Sequence, residues 1–180
     1  MITSIFEKIK SRKGASTVDF SYNMLLFVIL IVAGYEFFMM GYKYMTVSNF
    51  ANDLARTISI QGGVDVTVPN GFQGGNGVFS SYKKTRDIMN DVNDLANSIN
   101  QDVSDIEIRV KYQPSGGNTF ITRTLNSGSS LEIDYGDRFE IIVSYMFRME
   151  MLDKVVNVND SFEIERRKGG VSEFEHDYES

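Results

Sequence analysis

The segment Gly14 to Met40, GASTVDFSYNMLLFVILIVAGYEFFMM, determines how this chain is organised. No charged residue occurs from Phe20 to Tyr35, and with the apolar residues after Glu36 the run reaches about 20 residues, which is enough to cross a bilayer as one helix. A single segment in lipid must satisfy its own backbone hydrogen bonds, so a helix is the expected form. We therefore predict a transmembrane helix over about residues 20–40. Its apolar body comprises Phe20, Leu25, Leu26, Phe27, Ile29, Leu30, Ile31 and Val32.

The charges on either side of this helix predict its orientation. Residues 1–14 carry a net charge of +3, and because the chain of 180 residues has a net charge of -6, the remainder carries -9. By the positive-inside rule the N-terminus stays in the cytoplasm and the C-terminal part is exported. We expect a single-pass protein of the inner or cytoplasmic membrane. An acidic exported part also argues against nucleic-acid binding, which needs a basic surface.

The order of residue types around Asp19 suggests a processing signal. A secretory signal peptide has its small-residue cleavage site after the apolar run, whereas here Gly14, Ala15, Ser16 and Thr17 precede it. The order of basic, small, acidic and apolar residues resembles a type IV prepilin leader. The resemblance implies that a prepilin peptidase cuts after Gly14, so that Ala15 becomes the new N-terminus and Asp19 the fifth residue.

The most specific resemblance is to the TadE-like pilins of tight-adherence pilus systems. It is carried by RKGASTVDF, with Asp19-Phe20 where the family usually has Glu-Phe, and by Glu36-Phe37 near the outer end of the apolar run. It covers roughly Arg12 to Gln61, and more loosely the closing FEIERR. It implies a pilin or pseudopilin that assembles with other pilins and pilus assembly membrane proteins, as a homo- or hetero-oligomer, into a cell-surface filament for adhesion or secretion, or into its base. Asp19 would be the assembly charge and Glu36 a possible second one.

Simpler interpretations exist for each of these residues. Asp19 could be a helix N-cap at the membrane surface, where Asp is favoured. Glu36 could mark only the outer membrane interface. Basic residues followed by an apolar run also describe any signal anchor, so the alternative function is an unprocessed, signal-anchored binding module outside the cytoplasm.

The remaining chain predicts an α+β domain. The stripe Val47, Ala51, Leu54 and Ile58 continues the long helix over residues 15–61, and residues 62–80 form a Gly-rich loop. We expect a second helix at about Ser81 to Gln101 and then a 3–5-stranded antiparallel sheet packed on the first helix, in a domain over residues 81–168. The expected strands are Ile106 to Tyr112, Thr119 to Leu125, Leu131 to Tyr135, the central Phe139 to Arg148, and Val155 to Arg167. A break in the last strand near Asp160 is left open. Residues 169–180 are expected to be an acidic, disordered tail.

No catalytic or metal-binding set is evident in the sequence. The chain has no cysteine, and its one histidine, His176, is in the tail, so the common nucleophile and base pairs cannot be assembled. The cluster GFQGGNG lacks the Lys-Ser/Thr ending of a phosphate loop, and the acids near residues 87–97 lack EF-hand spacing. We therefore expect no enzyme activity, no cofactor and no metal.

Overall fold

A computed structural model describes the backbone of residues 2–68, 82–114, 117, 119–156 and 161–173, and the side chains of these residues from Thr17 onward. The chain divides into two compact units. One comprises Met1–Gly41 and Arg148–Ser161, and the other comprises Tyr42–Phe147 and Phe162–Ser180. The fold is α+β, as the sequence predicts. Most of the predicted Gly-rich loop and the end of the predicted tail lie outside the described residues.

The first element is a 60-residue helix, α1 (Ile2–Gln61). It ends where the glycine pair predicts, because Gly62 and Gly63 have φ values of 70° and 142°, which glycine adopts without strain. Its start differs from the prediction, since the leader residues are also helical. A single glycine costs a helix interior only about 1 kcal/mol relative to alanine, so Gly14 alone does not interrupt the helix.

Four antiparallel strands form the main sheet in the order β3-β2-β5-β6. They are β2 (Ile106–Tyr112), β3 (Ile121–Thr124), β5 (Arg138–Arg148) and β6 (Ser161–Val171). In the register of β2 with β5, Ile106 lies opposite Tyr145 and Tyr112 opposite Phe139. The expectation that Phe139 to Arg148 is a central strand is confirmed. This strand lies between β2 and β6 in the sheet, and most of its residues on both faces are buried.

A second, two-stranded sheet joins the end of α1 to the domain. Its strands are β1 (Gly63–Val64) and β4 (Leu131–Glu132), with Gly63 opposite Glu132. A Cβ on Gly63 would collide with the Leu131 carbonyl oxygen, so this close approach requires glycine. Gly63 and Val64, near the start of the predicted loop, are therefore a strand. Residues 65–68 form neither helix nor strand, and residues 69–80 lie outside the described residues.

The core of the second unit lies between the sheet and two helical segments. The predicted stripe of α1 is confirmed, because Val47, Ala51, Leu54 and Ile58 are all buried. The second helix, α2 (Thr85–Ser98), is shorter than predicted. Its N-terminus is fixed by the Asp87 carboxylate, which accepts a hydrogen bond of 3.1 Å from the Lys84 backbone N–H. Its buried residues are Thr85, Ile88, Val92, Leu95 and Ala96.

Polar contacts run along α1 where it packs on β6. The Arg166 guanidinium donates to the Ser48 hydroxyl at 3.1 Å and to the Tyr44 hydroxyl at 2.5 Å. Further along, the Ser59 hydroxyl donates to the Val171 carbonyl, and the Ser59 carbonyl accepts from the Glu173 N–H at 2.7 Å. These bonds join the C-terminal part of α1 to the last strand and the residues just after it, as the predicted packing of helix on sheet requires.

The prediction of a final strand over Val155 to Arg167, with a break near Asp160 left open, is wrong in its first part. Residues Glu150–Val156 form a third helix, α3, and the strand β6 begins only at Ser161. The valines of α3 favour strand by intrinsic preference, but β-propensity is weak and tertiary contacts override it. The contact responsible lies in the first unit and is described below.

The last strand also continues further than the sequence predicts. It extends to Val171, three residues into the segment assigned to the tail. Gly170 lies in this strand against the ring of Phe139, with no room for a Cβ. Glycine therefore permits a close strand-to-ring contact here and does not end the strand. Residues 174–180, with His176, lie outside the described residues.

Candidate functional site

The main candidate for a functional surface is the part of α1 from Thr17 to Gly41. Five consecutive apolar side chains, Met24 to Val28, are each more than 40% exposed. Because successive helix residues are about 100° apart, these five cover the whole circumference. A helix that is apolar all round requires apolar surroundings such as lipid or other helices. The helix is also long and apolar enough to span a membrane, which indicates single-pass anchoring.

The predicted transmembrane residues all lie on this surface. Phe20, Leu25, Leu26, Phe27, Leu30 and Ile31 are exposed, and Ile29 and Val32 are partly exposed. Within the first unit these side chains are therefore largely uncovered. A continuous exposed apolar surface that includes all of these side chains indicates an interaction surface.

Asp19 lies at the start of the apolar surface. Its side chain is exposed, and within the described part of the chain no hydrogen bond or ion pair engages its carboxylate. The neighbouring Ser21 hydroxyl instead donates to the Thr17 carbonyl at 2.9 Å. A carboxylate at the edge of an apolar segment is costly unless it is paired or hydrated, so Asp19 is available to a partner outside the chain.

Gly14 and Ala15 lie within the first turns of the same continuous helix. Their side-chain surroundings are outside the described residues. Ala15 and Asp19 are four positions apart, and residues at that spacing share one side of a helix. Cutting after Gly14 would therefore place a new α-amino group on the same side as the Asp19 carboxylate.

Glu36, the second predicted assembly charge, is buried. Only 6% of its surface is exposed, and its carboxylate accepts a hydrogen bond of 2.6 Å from the backbone N–H of Met151. Met151 is the second residue of α3, where helix N–H groups have no partner within the helix. The negative charge also lies at the positive end of the helix dipole. Within the first unit, Glu36 thus caps α3, and an assembly role for Glu36 stays a prediction.

Sequence reasoning missed Met151 and α3 as part of this site. Glu36 and Met151 are 115 positions apart, and a backbone N–H leaves no mark in the side-chain pattern. The only available signal was the presence of a carboxylate in an otherwise apolar run. Such a group is expected to have a partner, but the sequence does not identify that partner.

The outer face of the main sheet has a different character, because it is charged. Arg109 lies 3.7 Å from carboxylate oxygens of Glu107 and Glu163, and the Arg167 guanidinium lies 2.6 Å from Glu165. Such exposed pairs add little stability, but they keep this face solvated. Among the described residues, no group of three or more His, Cys, Asp or Glu side chains is placed to hold a metal ion.

Comparisons with known proteins add no assignment. No protein-family model, curated protein or solved structure matches the chain. The functional argument therefore depends on the residues and geometry described above.

Proposed function

We propose that the chain is a minor pilin or pseudopilin that is cut after Gly14 by a prepilin peptidase. It is then built into a surface pilus, or into the base of one, through the apolar helix. The observation that carries this proposal is an unbroken helix that is apolar on all sides over Met24 to Val28 and has the exposed carboxylate of Asp19 just before its apolar run. Other apolar helices and a positively charged group would satisfy both features at once.

Pairing between the Ala15 amine and the Asp19 carboxylate of neighbouring subunits would fix the register of assembly. Cleavage creates a positive α-amino group on Ala15, and the Asp19 carboxylate of a neighbouring subunit pairs with it. At low dielectric this attraction is strong, and an unpaired charge in the same place is costly. Subunits in the wrong register are therefore disfavoured. The uncut chain lacks the amine and keeps a leader of charge +3, so processing acts as the switch for assembly.

The folded unit favours a minor, priming or tip subunit. Cutting after Gly14 leaves 166 residues, and these include a four-stranded sheet and the helix α2 in addition to the apolar helix. A subunit that only builds the shaft needs little more than the helix. The partners in this proposal are the prepilin peptidase, other pilins and the membrane proteins of pilus assembly.

In this proposal the domain lies outside the cytoplasm, and the basic leader supports that orientation. Four basic residues precede the apolar run, and the rest of the chain is acidic, which by the positive-inside rule retains the N-terminus in the cytoplasm. Before assembly the protein is then a single-pass protein of the inner or cytoplasmic membrane. After assembly it is part of a cell-surface filament.

The N-terminus of the mature protein tests the proposal. Intact-mass measurement of the protein extracted from membranes should show a chain that begins with Ala15. Gly14→Val should abolish cleavage, because a prepilin peptidase accepts a small residue before the cut. Gly34→Ala is the matched control: it changes a glycine of the same helix that has no atom within 4 Å of an added Cβ, and cleavage should be unchanged.

The opposite result has a definite meaning. If the native chain keeps residues 1–14 in the envelope, the pilin proposal is wrong, and the chain is then better described as a signal-anchored binding module. Cleavage that persists in Gly14→Val would likewise place the cut elsewhere and remove Ala15 from the mechanism.

A further inference from the structure

The position of α3 along the apolar helix can be related to membrane depth. Glu36, which binds α3, lies 17 positions after Asp19, and at ~1.5 Å per residue this is about 26 Å along the helix axis. The hydrocarbon core of a bilayer is about 30 Å thick. If Asp19 lies at the cytoplasmic boundary, Glu36 and the start of α3 lie at the outer boundary.

The surface of α3 is divided into an apolar and a charged side. Met151 and Val155 are four positions apart and share one side, and they are 47% and 44% exposed. Glu150 and Lys154, also four positions apart, are exposed on the adjoining side. A helix with one apolar and one charged side fits the boundary between acyl chains and water.

We propose that α3 lies in the outer interfacial layer of the membrane, with Met151 and Val155 in contact with lipid. The occupant of this surface is lipid because α3 and the apolar part of α1 belong to one compact unit. The Glu36 bond holds α3 beside a helix surface that faces lipid when the chain is anchored in the membrane. Tyr35, 47% exposed and next to Glu36, is of a residue type enriched at this depth. The inference rests on the membrane anchoring within the proposed function, and it needs neither cleavage nor filament assembly.

Lipid contact would explain why so short a helix keeps exposed apolar side chains. Isolated helices shorter than ~12–15 residues are marginal in water, and α3 has seven residues. The Glu36 carboxylate stabilises its first turn, and contact with lipid would stabilise its apolar side. The loop between two adjacent strands then provides a second, shallow point of attachment to the membrane.

Single-cysteine labelling tests this placement, because the chain has no cysteine. The full-length protein is reconstituted into vesicles of phosphatidylcholine and phosphatidylglycerol and labelled with an environment-sensitive fluorophore at Val155→Cys or, as a second variant, Met151→Cys. Three further labels serve as references. Glu150→Cys labels the charged side of α3, Leu30→Cys labels the membrane interior, and Ser127→Cys labels an exposed turn of the domain. Quenching is measured with lipids that carry a shallow nitroxide and with aqueous iodide.

We expect both apolar-side labels to be quenched by the shallow nitroxide and to lose iodide quenching relative to Ser127→Cys. The Glu150→Cys label should remain accessible to iodide. Iodide quenching at Val155 and Met151 equal to that at Ser127 would overturn the inference. A second result would also overturn the inference: the labels are protected from iodide but not quenched by the nitroxide, and the protection is lost when the protein is diluted in lipid. That result would show that a second copy covers the helix.

The Leu30→Cys label separates this inference from the proposed function. If Leu30 is shielded in lipid while Val155 and Met151 are in water, only the placement of α3 fails. If Leu30 itself is accessible to iodide, the chain does not span the membrane, and the inference fails together with the proposed function.

Discussion

In the proposed assembly, the environment of Asp19 changes when a subunit enters the filament. Its carboxylate is exposed in the single chain and, in our proposal, is paired in the filament. Removing one partner of a buried charge pair costs roughly 3–5 kcal/mol. We therefore expect Asp19→Ala to be cleaved normally but to be reduced at least a hundredfold in pilus incorporation, measured by immunoblots of sheared filaments.

Two variants make the Asp19 experiment specific. Asp19→Glu keeps the charge and should retain incorporation. Asp53→Ala removes an exposed carboxylate further along the same helix and should have no effect. Normal incorporation of Asp19→Ala would exclude the pairing mechanism.

Glu36 shows how one side chain can decide local secondary structure. It accepts the Met151 N–H at the start of α3, and loss of such a cap costs about 1–2 kcal/mol. We expect Glu36→Ala to raise the hydrogen-exchange rate of the Met151 amide about tenfold. Glu36→Gln, which keeps a carbonyl acceptor, should show a smaller rise. Equal exchange rates in all three proteins would show that this bond does not hold the helix.

Among the secondary-structure elements, β6 depends on a contact that only glycine allows. An added Cβ on Gly170 would overlap the ring of Phe139, a buried residue of β5. Overpacking of this kind costs about 1–3 kcal/mol. We expect Gly170→Ala to lower the thermal unfolding midpoint of the detergent-solubilised protein by several degrees.

Gly169→Ala is the matched control for this strand. The nearest atom to its added Cβ is the Phe139 carbonyl oxygen, at 3.7 Å, an ordinary contact. Its midpoint should differ little from that of the native protein. If both variants unfold at the same temperature, the packing of Gly170 on the ring is not a constraint on β6.

The elements that the sequence predicts well are those with a regular pattern of buried residues. The stripe of α1 from Val47 to Ile58, the alternation in β2 and the apolar run of β5 all agree with the structure. In α1 and β2 the periodicity reports burial directly, and in β5 the continuous apolar run indicates burial on both faces. The helix α3 and the end of β6 could not be predicted in this way, because each depends on a contact with a residue distant in sequence.

The candidate site was predictable to a similar extent. The apolar helix and Asp19 follow from local composition, and the structure leaves both exposed. The capping of α3 by Glu36 does not follow, since it joins a side chain to a backbone group 115 positions away. The sequence thus identifies charged side chains that need a partner, and the structure shows which group that partner is for Glu36.

At the scale of the whole molecule, two buried tyrosines predict the response to alkaline pH. Burial raises the pKa of Tyr145 to about 12, and burial together with the charge of Asp65 raises that of Tyr82 to about 12. The unfolded chain loses these protons near pH ~10. The contribution of each group to stability is therefore fully present below about pH 10 and is lost as the pH rises through about 12.

We expect the free energy of unfolding to fall by about 1–3 kcal/mol per buried tyrosine over this range. Urea unfolding monitored by circular dichroism at pH 9, 10, 11 and 12 measures this fall. Tyr145→Phe should remove its share of it, whereas Tyr135→Phe, which changes a tyrosine that is 64% exposed, should leave the pH dependence unchanged. A stability that does not vary over this range would contradict the burial of both phenols.

The position of β6 at the edge of the sheet matters wherever copies of the protein lie close together. As the last strand in the order β3-β2-β5-β6, it is an edge strand of eleven residues, and an edge strand can template aggregation with another copy. Its outward side chains include Glu163, Glu165 and Arg167, and charged side chains on an edge oppose this kind of pairing. In the proposed filament, these charges would keep the sheets of neighbouring copies separate.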